Sequence, residues 1–479
     1  MEPIEESALH VVIVPTPGMG HLIPLIEFAS RLVHHHSFAV TFIIPNDGSS
    51  MKLQKQLLLS LPQTISSIFL PPVSFRDLPP DAKIETRIIL SLTRSLHLLR
   101  DSFKLLAQSK RVVAFVVDVF GTDAFDIAKE FGLQPYLFIP TNALILSMIF
   151  ELPKLDQMFS CEYRDLPEPI QLPGCVPFCG SDVADPLQHR QDFAYQETLQ
   201  ICKKYPSAAG IIVNSFMELE NDAFEALMEV GRGLPPVFPV GPLTKSVSCS
   251  SSTNEIEGSK DCLRWLDEQP SGSVLYVCFG SGGTLSLGQI NELAVGLEMS
   301  GQRFLWVVKN PVDEAANATY FNSTETGNDP LAFLPDGFLE RTRDIGLVVP
   351  NWAPQVEVLS HGSTGGFLTH CGWNSVLESI EHGVPLIAWP LYAEQKMNAA
   401  MLKDGVKVAL RVQHNGEGVV GRQDIAKYAK ELIEGDEGQL LRTRMKKLRD
   451  YAKMTLGPDG SSTKSLAKLA QIWKNQKLC

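Results

Sequence analysis

Residues 10–33 have the sequence HVVIVPTPGMGHLIPLIEFASRLV, in which an apolar run leads through a turn rich in proline and glycine into an amphipathic pattern. The run His10–Pro15 predicts a buried strand, and Leu22–Val33 predicts a helix. The alternation continues through the first half of the chain, with predicted strands at Phe38–Ile44, Val112–Val117 and Gly210–Asn214 and predicted helices at Glu85–Ala107, Thr122–Phe131 and Glu218–Val230. Apolar strands that alternate with helices predict an α/β fold with a doubly wound parallel sheet.

A Ser-rich stretch without periodicity, residues 243–260, interrupts this alternation and is typical of an interdomain linker. The alternation then restarts, with predicted strands at Ser273–Phe279, Phe304–Val308, Leu347–Val349, Phe367–Thr369 and Pro385–Ala388. Ser286 is expected to cap a helix, and Asn310–Leu331 to form a long polar loop. We therefore predict domains at 1–242 and 261–460, with a cleft between the carboxyl ends of both sheets. A last helix within 461–479 could pack back on the first domain.

The charge balance argues against a nucleic-acid binder. The 479 residues include 42 basic and 54 acidic side chains, for a net charge of −12. The first residues carry Glu2, Glu5 and Glu6 where a secretory signal would be basic, and no apolar run approaches the roughly 18 residues of a membrane span. Nine scattered cysteines are typical of reduced thiols. We expect a cytoplasmic monomer without a membrane anchor.

The turn after the first strand contains His21. Gly18 and Gly20 resemble the start of a dinucleotide-binding fingerprint, but Ile23 stands where the third glycine is required. An oxidoreductase is therefore the weaker of the functional hypotheses. A helix N-terminus tends to keep an imidazole neutral, as a general base requires. His21 is thus a candidate base, the alternative being a residue that only caps the helix.

Asp118 follows the buried strand Val112–Val117, where an unpaired carboxylate would be costly. At a carboxyl strand end it could hydrogen-bond His21, orient the ring and stabilise its protonated form. The alternative is a turn aspartate that caps the helix starting near Thr122. Asp123 and Asp126 lie on that helix and are weaker candidates.

The densest polar constellation lies between Trp352 and Gln395. Phe367–Thr369 predicts a strand, followed by a Gly turn and a helix from Asn374, an arrangement that binds a diphosphate. Trp352 offers a flat face for a base, and Glu378 lies one turn into the helix, suited to a ribose diol. His370, Asn374 and Ser375 add donors, and Glu394 and Gln395 suit sugar hydroxyls. A Trp-rich core helix would not explain so many polar residues at strand ends.

This box resembles the signature of plant family 1 glycosyltransferases from its first Trp to its last Gln. Further segments carry the resemblance, closest to the group that glucosylates hydroquinone, coniferyl alcohol and indoxyl: Pro17–Pro24, Phe120–Asp126, Leu152–Asp156 and Trp389–Asn398. The resemblance implies a GT-B fold of two Rossmann-like domains facing each other across a cleft, an inverting mechanism, no metal and no cofactor, with UDP-glucose as co-substrate.

The resemblance also implies a role for each site residue. His21 is the base and Asp118 its partner. Contacts to UDP-glucose are implied for Trp352, Ala353 and Gln355 at the uracil, for Ser281, His370, Asn374 and Ser375 at the diphosphate, for Trp373 along that turn, for Glu378 at the ribose, and for Glu394 and Gln395 at the glucose. A further sugar contact falls on Thr141 or Asn142, between which the sequence does not choose.

We expect an acceptor pocket in the first domain. Phe120 follows Asp118 closely, and Phe150 ends a predicted apolar helix, Ala143–Phe150; either ring could instead be plain core. Glu85 is assigned to the pocket because of the resemblance. The predicted function is glucose transfer to the hydroxyl of a small phenol, with aromatic amines as alternative acceptors. A non-catalytic UDP-sugar-binding protein is the alternative of another class, but retention of His21 and Asp118 argues against it.

Two further features of the sequence are weaker indications of a functional site. Residues 34–36 are three consecutive histidines at a predicted helix end, more typical of a solvated terminus than of a metal site. Cys371 lies beside the phosphate turn, where a small buried residue is a simpler interpretation than a reactive thiol.

Overall fold

The computed structural model describes residues 8–49, 51–79, 82–244, 257–313, 329–416 and 418–476. The chain divides into two compact units, the first formed by 1–245 with 454–479 and the second by 246–453. The second unit therefore ends at Lys453, whereas the sequence placed its end at 460.

The predicted linker 243–260 is too long at both ends. Its middle, 245–256, lies outside the described residues, as does most of the predicted loop Asn310–Leu331. Leu243 is fully buried in the core of the first unit, and a helix already begins at Glu257. The linker is therefore shorter than predicted, because Leu243 is buried in the first unit and a helix begins at Glu257.

The first unit contains a parallel seven-stranded sheet of order β3-β2-β1-β4-β5-β6-β7. Its strands are β1 His10–Val14, β2 Ala39–Asn46, β3 Ile65–Pro72, β4 Val112–Asp118, β5 Pro135–Ile139, β6 Gly210–Val213 and β7 Val237–Pro239. Its helices are α1 Met19–His36, α2 Lys52–Leu59, α3 Ile84–Thr93, α4 Leu96–Ser109, α5 Phe125–Glu130, α6 Ala143–Met158, α7 Phe193–Lys204, α8 Asn221–Met228 and, at the end of the chain, α17 Ser461–Lys474.

The second unit contains a parallel six-stranded sheet of order β10-β9-β8-β11-β12-β13. Its strands are β8 Val274–Cys278, β9 Arg303–Val308, β10 Gly346–Pro350, β11 Thr364–Thr369, β12 Leu386–Ala388 and β13 Ala409–Arg411. Its helices are α9 Glu257–Asp267, α10 Leu287–Ser300, α11 Phe338–Thr342, α12 Gln355–Ser360, α13 Trp373–His382, α14 Gln395–Ala400, α15 Arg422–Glu434 and α16 Asp436–Thr455, whose last residues belong to the first unit.

Two doubly wound parallel α/β units confirm the predicted fold class. Ser286 caps α10 as predicted, since its hydroxyl accepts a hydrogen bond from the Gln289 N–H at 3.2 Å. Within the described ranges, no helix combines the length and apolar character that crossing a membrane requires.

The predicted helix Glu85–Ala107 is wrong, because the structure has two helices separated at Arg94 and Ser95. The side chains at the break explain it. The hydroxyls of Ser91 and Ser95 donate to carbonyls four residues earlier, both at 2.6 Å. Such back-bonding competes with the helical ladder and bends helices.

The predicted helix Ala143–Phe150 is too short, because α6 continues to Met158 and Phe150 lies in its middle. Helix α1 likewise begins at Met19, three residues before the predicted start at Leu22. His21 therefore lies in the first turn of α1.

The C-terminal helix α17 packs in the core of the first unit through Trp473, which is fully buried. The ring centroid of Trp473 lies 5.2 Å from that of Tyr136, 6.0 Å from Phe38 and 6.3 Å from Phe28. The last helix thereby joins β5, α1 and the start of β2 into one core.

We expect Trp473→Ala to destabilise the first unit by about 3–5 kcal/mol, because truncating a buried tryptophan removes apolar contacts and leaves a cavity. Ile472→Ala is the matched control, since that neighbouring side chain is 38% exposed. Denaturant titrations followed by circular dichroism measure both changes. Equal losses in the two variants would show that α17 does not stabilise the unit through Trp473.

Candidate active site

The candidate base lies where β1 and β4, neighbours in the first sheet, reach their carboxyl ends. The structure places His21 Nδ1 2.9 Å from Asp118 Oδ2. Asp118 is fully buried, whereas the His21 side chain keeps 16% of its surface exposed. An ionised carboxylate only accepts hydrogen bonds, so in a neutral imidazole this contact places the proton on Nδ1 and leaves the lone pair on Nε2. The ring is thus oriented to take a proton at Nε2.

Thr16 completes this network, and the sequence analysis did not single it out. Its N–H and its hydroxyl donate to Asp118 Oδ2 at 2.7 and 2.6 Å, and the hydroxyl oxygen lies 3.2 Å from His21 Nδ1. Its position directly after β1 was the available signal. The β1–α1 loop therefore positions the carboxylate as well as the imidazole.

Phe120 lies beside the base. Its ring stacks on His21 with centroids 6.0 Å apart and planes at 15°, and its N–H donates to Asp118 Oδ1 at 3.3 Å. Phe150 packs edge-on against Tyr205, whose hydroxyl donates to the Val119 carbonyl at 2.8 Å. Both phenylalanines are only partly buried, so neither is plain core.

Glu85 is buried in the first turn of α3. Helix α3 contacts the short 3₁₀ turn Thr122–Ala124, which follows Phe120 and Gly121. The three predicted acceptor residues thus lie on neighbouring elements of the first unit.

The structure distinguishes between Thr141 and Asn142. Asn142 caps α6, because its side-chain oxygen accepts from the Ile145 N–H at 3.0 Å. The hydroxyl oxygen of Thr141 is buried and has no hydrogen-bond partner among the described residues. Thr141 is therefore the one whose side chain is available to a ligand.

His370 stands at the carboxyl end of β11 in a tight enclosure. A Cβ on Gly280 would lie 2.4 Å from its ring, and so would a Cβ on Gly372. Burial, with the positive charge of Lys309 as a smaller cause, lowers the pKa of His370 to about 3. The ring is therefore neutral at pH 7 and contributes a hydrogen bond rather than a charge. Its Nδ1 is buried and has no hydrogen-bond partner among the described residues.

Lys309 follows β9 and was also missed by the sequence analysis. Its ammonium donates to the carbonyls of Gly280 and Ser281, both at 2.5 Å. Ser281 itself is exposed after β8. Lys309 thus fixes the loop that carries Ser281 and places a positive charge close to His370.

The helix after this turn is α13, with Gly372 as its N-cap. Trp373 is 3% exposed and forms its first turn with Asn374 and Ser375. The Gln355 amide donates to Ser375 Oγ at 2.9 Å and to Glu378 Oε2 at 2.6 Å, which joins α12 to α13.

Trp352 and Ala353 lie just before α12, after the end of β10. Trp352 is 53% exposed, which is unusual for so large an apolar side chain. Ala353, in contrast, is buried.

Glu394 and Gln395 lie in the loop after β12 and at the start of α14. Gln395 Oε1 accepts from the N–H groups of Leu391 and Tyr392 at 2.9 and 3.0 Å, so this side chain shapes the loop. Asn398, which carried the family resemblance but had no assigned role, donates to the Cys371 carbonyl at 2.9 Å and to Glu394 Oε1 at 3.3 Å. It therefore ties the two loops together.

Strained backbone marks the same edge of the second sheet. Asn351, Cys371 and Ala393 have φ values of 64°, 65° and 56°, and each follows a different strand. Such conformations in residues with a Cβ cluster at functional sites. The Cys371 thiol is fully buried, and burial raises its pKa to about 12, so this cysteine is not a reactive thiol.

The histidines at residues 34–36 end α1. The ring of His34 donates to the Ser30 carbonyl at 2.8 Å, and burial, with Lys474 and His35, lowers the pKa of His36. Over the described part of the chain, no cluster of three or more His, Cys, Asp and Glu side chains could hold a metal ion.

A histidine–aspartate pair in one doubly wound unit and a helix N-terminus lined with polar side chains in the other are typical of nucleotide-sugar-dependent transferases of the GT-B fold. The chain belongs to the UDP-glycosyltransferase family: the family described as "UDP-glucoronosyl and UDP-glucosyl transferase" matches residues 226–439. Hydroquinone glucosyltransferase of Rauvolfia serpentina is 58% identical over 471 residues, which cover 98% of this chain and 99% of that protein. These findings confirm the resemblance and show that the protein is an enzyme.

Two solved structures are also similar over nearly the whole chain. UGT2 of Phytolacca americana, in complex with UDP-2fluoro-glucose and pterostilbene, has a TM-score of 0.89 and 50% identity, covering 98% of this chain and 100% of that one. A UDP-glucosyltransferase of Polygonum tinctorium capable of glucosylating indoxyl, in complex with 3,4-dichloroaniline, has a TM-score of 0.90 and 49% identity, covering 98% and 99%.

Proposed function

We propose that the protein transfers glucose from UDP-glucose to the hydroxyl of a small phenol, with inversion, to give a β-glucoside. The observation that carries this proposal is the 2.9 Å contact of His21 Nδ1 with the buried Asp118, which leaves Nε2 to act as a base. A phenol has a pKa of about 10 and is a weak nucleophile until a base removes its proton.

In the proposed reaction, Nε2 takes the phenolic proton as the oxygen attacks the anomeric carbon. The new carbon–oxygen bond forms while the bond to the diphosphate breaks, and UDP leaves with the bonding electrons. Asp118 stabilises the imidazolium that results, and Thr16 holds Asp118 in place.

We infer that the second unit binds UDP-glucose. The N-terminus of α13, with Asn374 and Ser375, suits the diphosphate because helix N-terminal amides and dipole favour anions. Neutral His370 adds a hydrogen bond to the leaving group. The exposed face of Trp352 suits the uracil, with Ala353 and Gln355 beside it, and Glu378 suits the ribose.

For the glucose, we infer contacts from Glu394 and Gln395 and from the hydroxyl of Thr141, which has no hydrogen-bond partner among the described residues. Gln395 holds the loop at 391–392 through its Oε1, so we infer that it also shapes the site of the sugar. We propose that the transfer needs no metal and no cofactor, and expect activity to survive a chelator.

Gly280→Ala is expected to weaken UDP binding at least tenfold, or about 1.4 kcal/mol. The new Cβ would collide with the His370 ring at 2.4 Å, and the backbone φ of 74° disfavours residues other than glycine. Gly288→Ala is the matched control, since a Cβ there meets nothing within 4 Å. Calorimetric titration with UDP measures both. An unchanged dissociation constant for Gly280→Ala would remove this loop from the nucleotide site.

The acceptor class follows from Phe120 and Phe150 and from the relatives. The partly buried ring of Phe120, stacked on His21, suits a flat aromatic acceptor. The relatives' names mention hydroquinone and indoxyl, and their complexes contain pterostilbene and 3,4-dichloroaniline. The dichloroaniline complex keeps aromatic amines as the second candidate acceptor class.

The experiment that tests this proposal offers UDP-glucose with hydroquinone, coniferyl alcohol, indoxyl and chlorinated anilines, with products identified by mass spectrometry. We expect glucosides of at least the phenols. UDP-glucose binding without any transfer would instead support a non-catalytic UDP-sugar-binding protein. A cytoplasmic location and a monomeric state remain predictions.

A further inference from the structure

A small pocket lies in the first unit beside the β1–α1 loop, on the side away from Asp118, where β2 reaches its carboxyl end. Its walls include Thr16, Gly18 and Ile44, with Met51 and Gln54 from the start of α2. Ligands of doubly wound sheets bind at such strand ends. Asp47 also lines this pocket, which we call the Asp47 pocket, and no role has been assigned to it so far.

Asp47 is only 5% exposed, and its two carboxylate oxygens differ in their hydrogen bonds. Its Oδ1 accepts from the N–H and the hydroxyl of Ser49 at 3.0 and 2.6 Å. Its Oδ2 is buried and, across the described residues, accepts no hydrogen bond, and the same holds for Oε1 of Gln54. A buried acceptor without a donor is costly, so two of them on one pocket indicate a missing hydrogen-bond donor.

Thr16 connects this pocket with the candidate base. It forms part of the pocket wall, while its N–H and hydroxyl hold Asp118. The pocket and the His21–Asp118 pair therefore lie on either side of one short loop. The remaining walls are largely apolar, including Pro15, Pro17 and Leu22, and the space between them suits one group of about the size of a water molecule.

We propose that the Asp47 pocket is a second acceptor subsite, which binds a hydroxyl or amino group of the acceptor remote from the oxygen that is glucosylated. The proposal rests on the proposed function. A group with an O–H or N–H satisfies Oδ2 of Asp47, whereas an ether oxygen would place a second acceptor against this carboxylate. Sites built to hydrogen-bond a hydroxyl discriminate strongly against analogues that lack it. The enzyme thus selects acceptors that carry two donor groups.

The test uses two pairs of acceptors, each a dihydric phenol and its monomethyl ether. One pair is hydroquinone and para-methoxyphenol, and the other, with a longer distance between the two oxygens, is a dihydroxybiphenyl and its monomethyl ether. We expect the wild type to show at least a tenfold higher kcat/KM for the dihydric member of one pair. In Asp47→Asn, the two Ser49 donors require the amide oxygen, which turns the NH2 group into the pocket. The preference should therefore fall to about one or reverse, because a donor now faces the ligand.

Gln54→Met is a second variant, at a half-exposed helical position, and should lower the same preference less. Asp126→Asn is the matched control, since its side chain is 89% exposed, and should keep the wild-type preference. Thermal unfolding of each variant checks folding. A preference unchanged in Asp47→Asn and Gln54→Met would mean that the pocket holds only solvent water, and would overturn the proposal.

Failure of the proposed function would look different. If the wild type glucosylated neither member of either pair, the function would be wrong, and equilibrium binding of the same four compounds would still test the subsite. Tighter binding of a dihydric member to the wild type, lost in Asp47→Asn, would support the subsite. Equal binding of both members would overturn it.

Discussion

His21→Ala is expected to lower kcat for phenols by about 10²–10⁴-fold, the usual contribution of a positioned general base. The phenolic proton would have no acceptor at the reacting oxygen, because Nε2 of His21 is the group that Asp118 orients for it. UDP binding should be nearly unchanged, since every residue assigned to the nucleotide belongs to the second unit. Initial rates with hydroquinone and calorimetric titration with UDP give the two values.

His97→Ala is the control for this variant, since His97 is an exposed histidine of α4 in the same unit. It should retain wild-type rates. Near-normal turnover in His21→Ala would mean that another group takes the proton, and loss of UDP binding in that variant would mean that the substitution acts through folding.

Asp118→Asn is expected to reduce transfer to phenols by up to about 10⁴-fold, the loss seen when the carboxylate of a catalytic triad becomes an amide. Asp118 Oδ2 accepts from the N–H and hydroxyl of Thr16 and from Nδ1 of His21. An amide has a single oxygen, so its NH2 group would face donors or turn the imidazole to the wrong tautomer. Transfer to anilines should suffer less, because a neutral amine attacks with its own lone pair and loses its proton later.

Rates with a chlorophenol and the chloroaniline of the same shape measure this difference. Asp126→Asn serves again as the control, because it makes the same chemical change on the exposed face of α5. Thermal unfolding is measured in parallel, since a fully buried carboxylate also contributes to stability. Equal losses on the phenol and the aniline would show that Asp118 acts on ring geometry or folding rather than through its charge.

The sequence was sufficient to predict those contacts that follow from the order of the strands in the sheet. His21 follows β1 and Asp118 ends β4, and the two residues are 97 positions apart in the sequence. The parallel sheet makes β1 and β4 neighbours and so brings the two side chains together. The central strands could also be predicted, because each of them is an apolar run bounded by turns. The turn at His370 could be predicted because strand, glycine and helix follow one another without interruption.

Other features depend on tertiary contacts that leave little trace in a linear pattern. Thr16, Lys309 and Asn398 act by bonding to groups brought near only by the fold. The break between α3 and α4 depends on which hydroxyls turn back onto the helix. The edge strand β3 and the three-residue strands β7 and β13 are too polar or too short for a periodic signal.

The most direct test of inverting glucose transfer is the structure of the product that the wild type makes from UDP-glucose and hydroquinone. Proton NMR of the purified product reports the anomeric configuration through the coupling of the anomeric proton, alongside the amount of UDP released. We expect one β-glucoside for each UDP, as direct attack by a phenol activated at His21 requires. An α-glucoside, or UDP and free glucose without any glucoside, would contradict the proposed reaction.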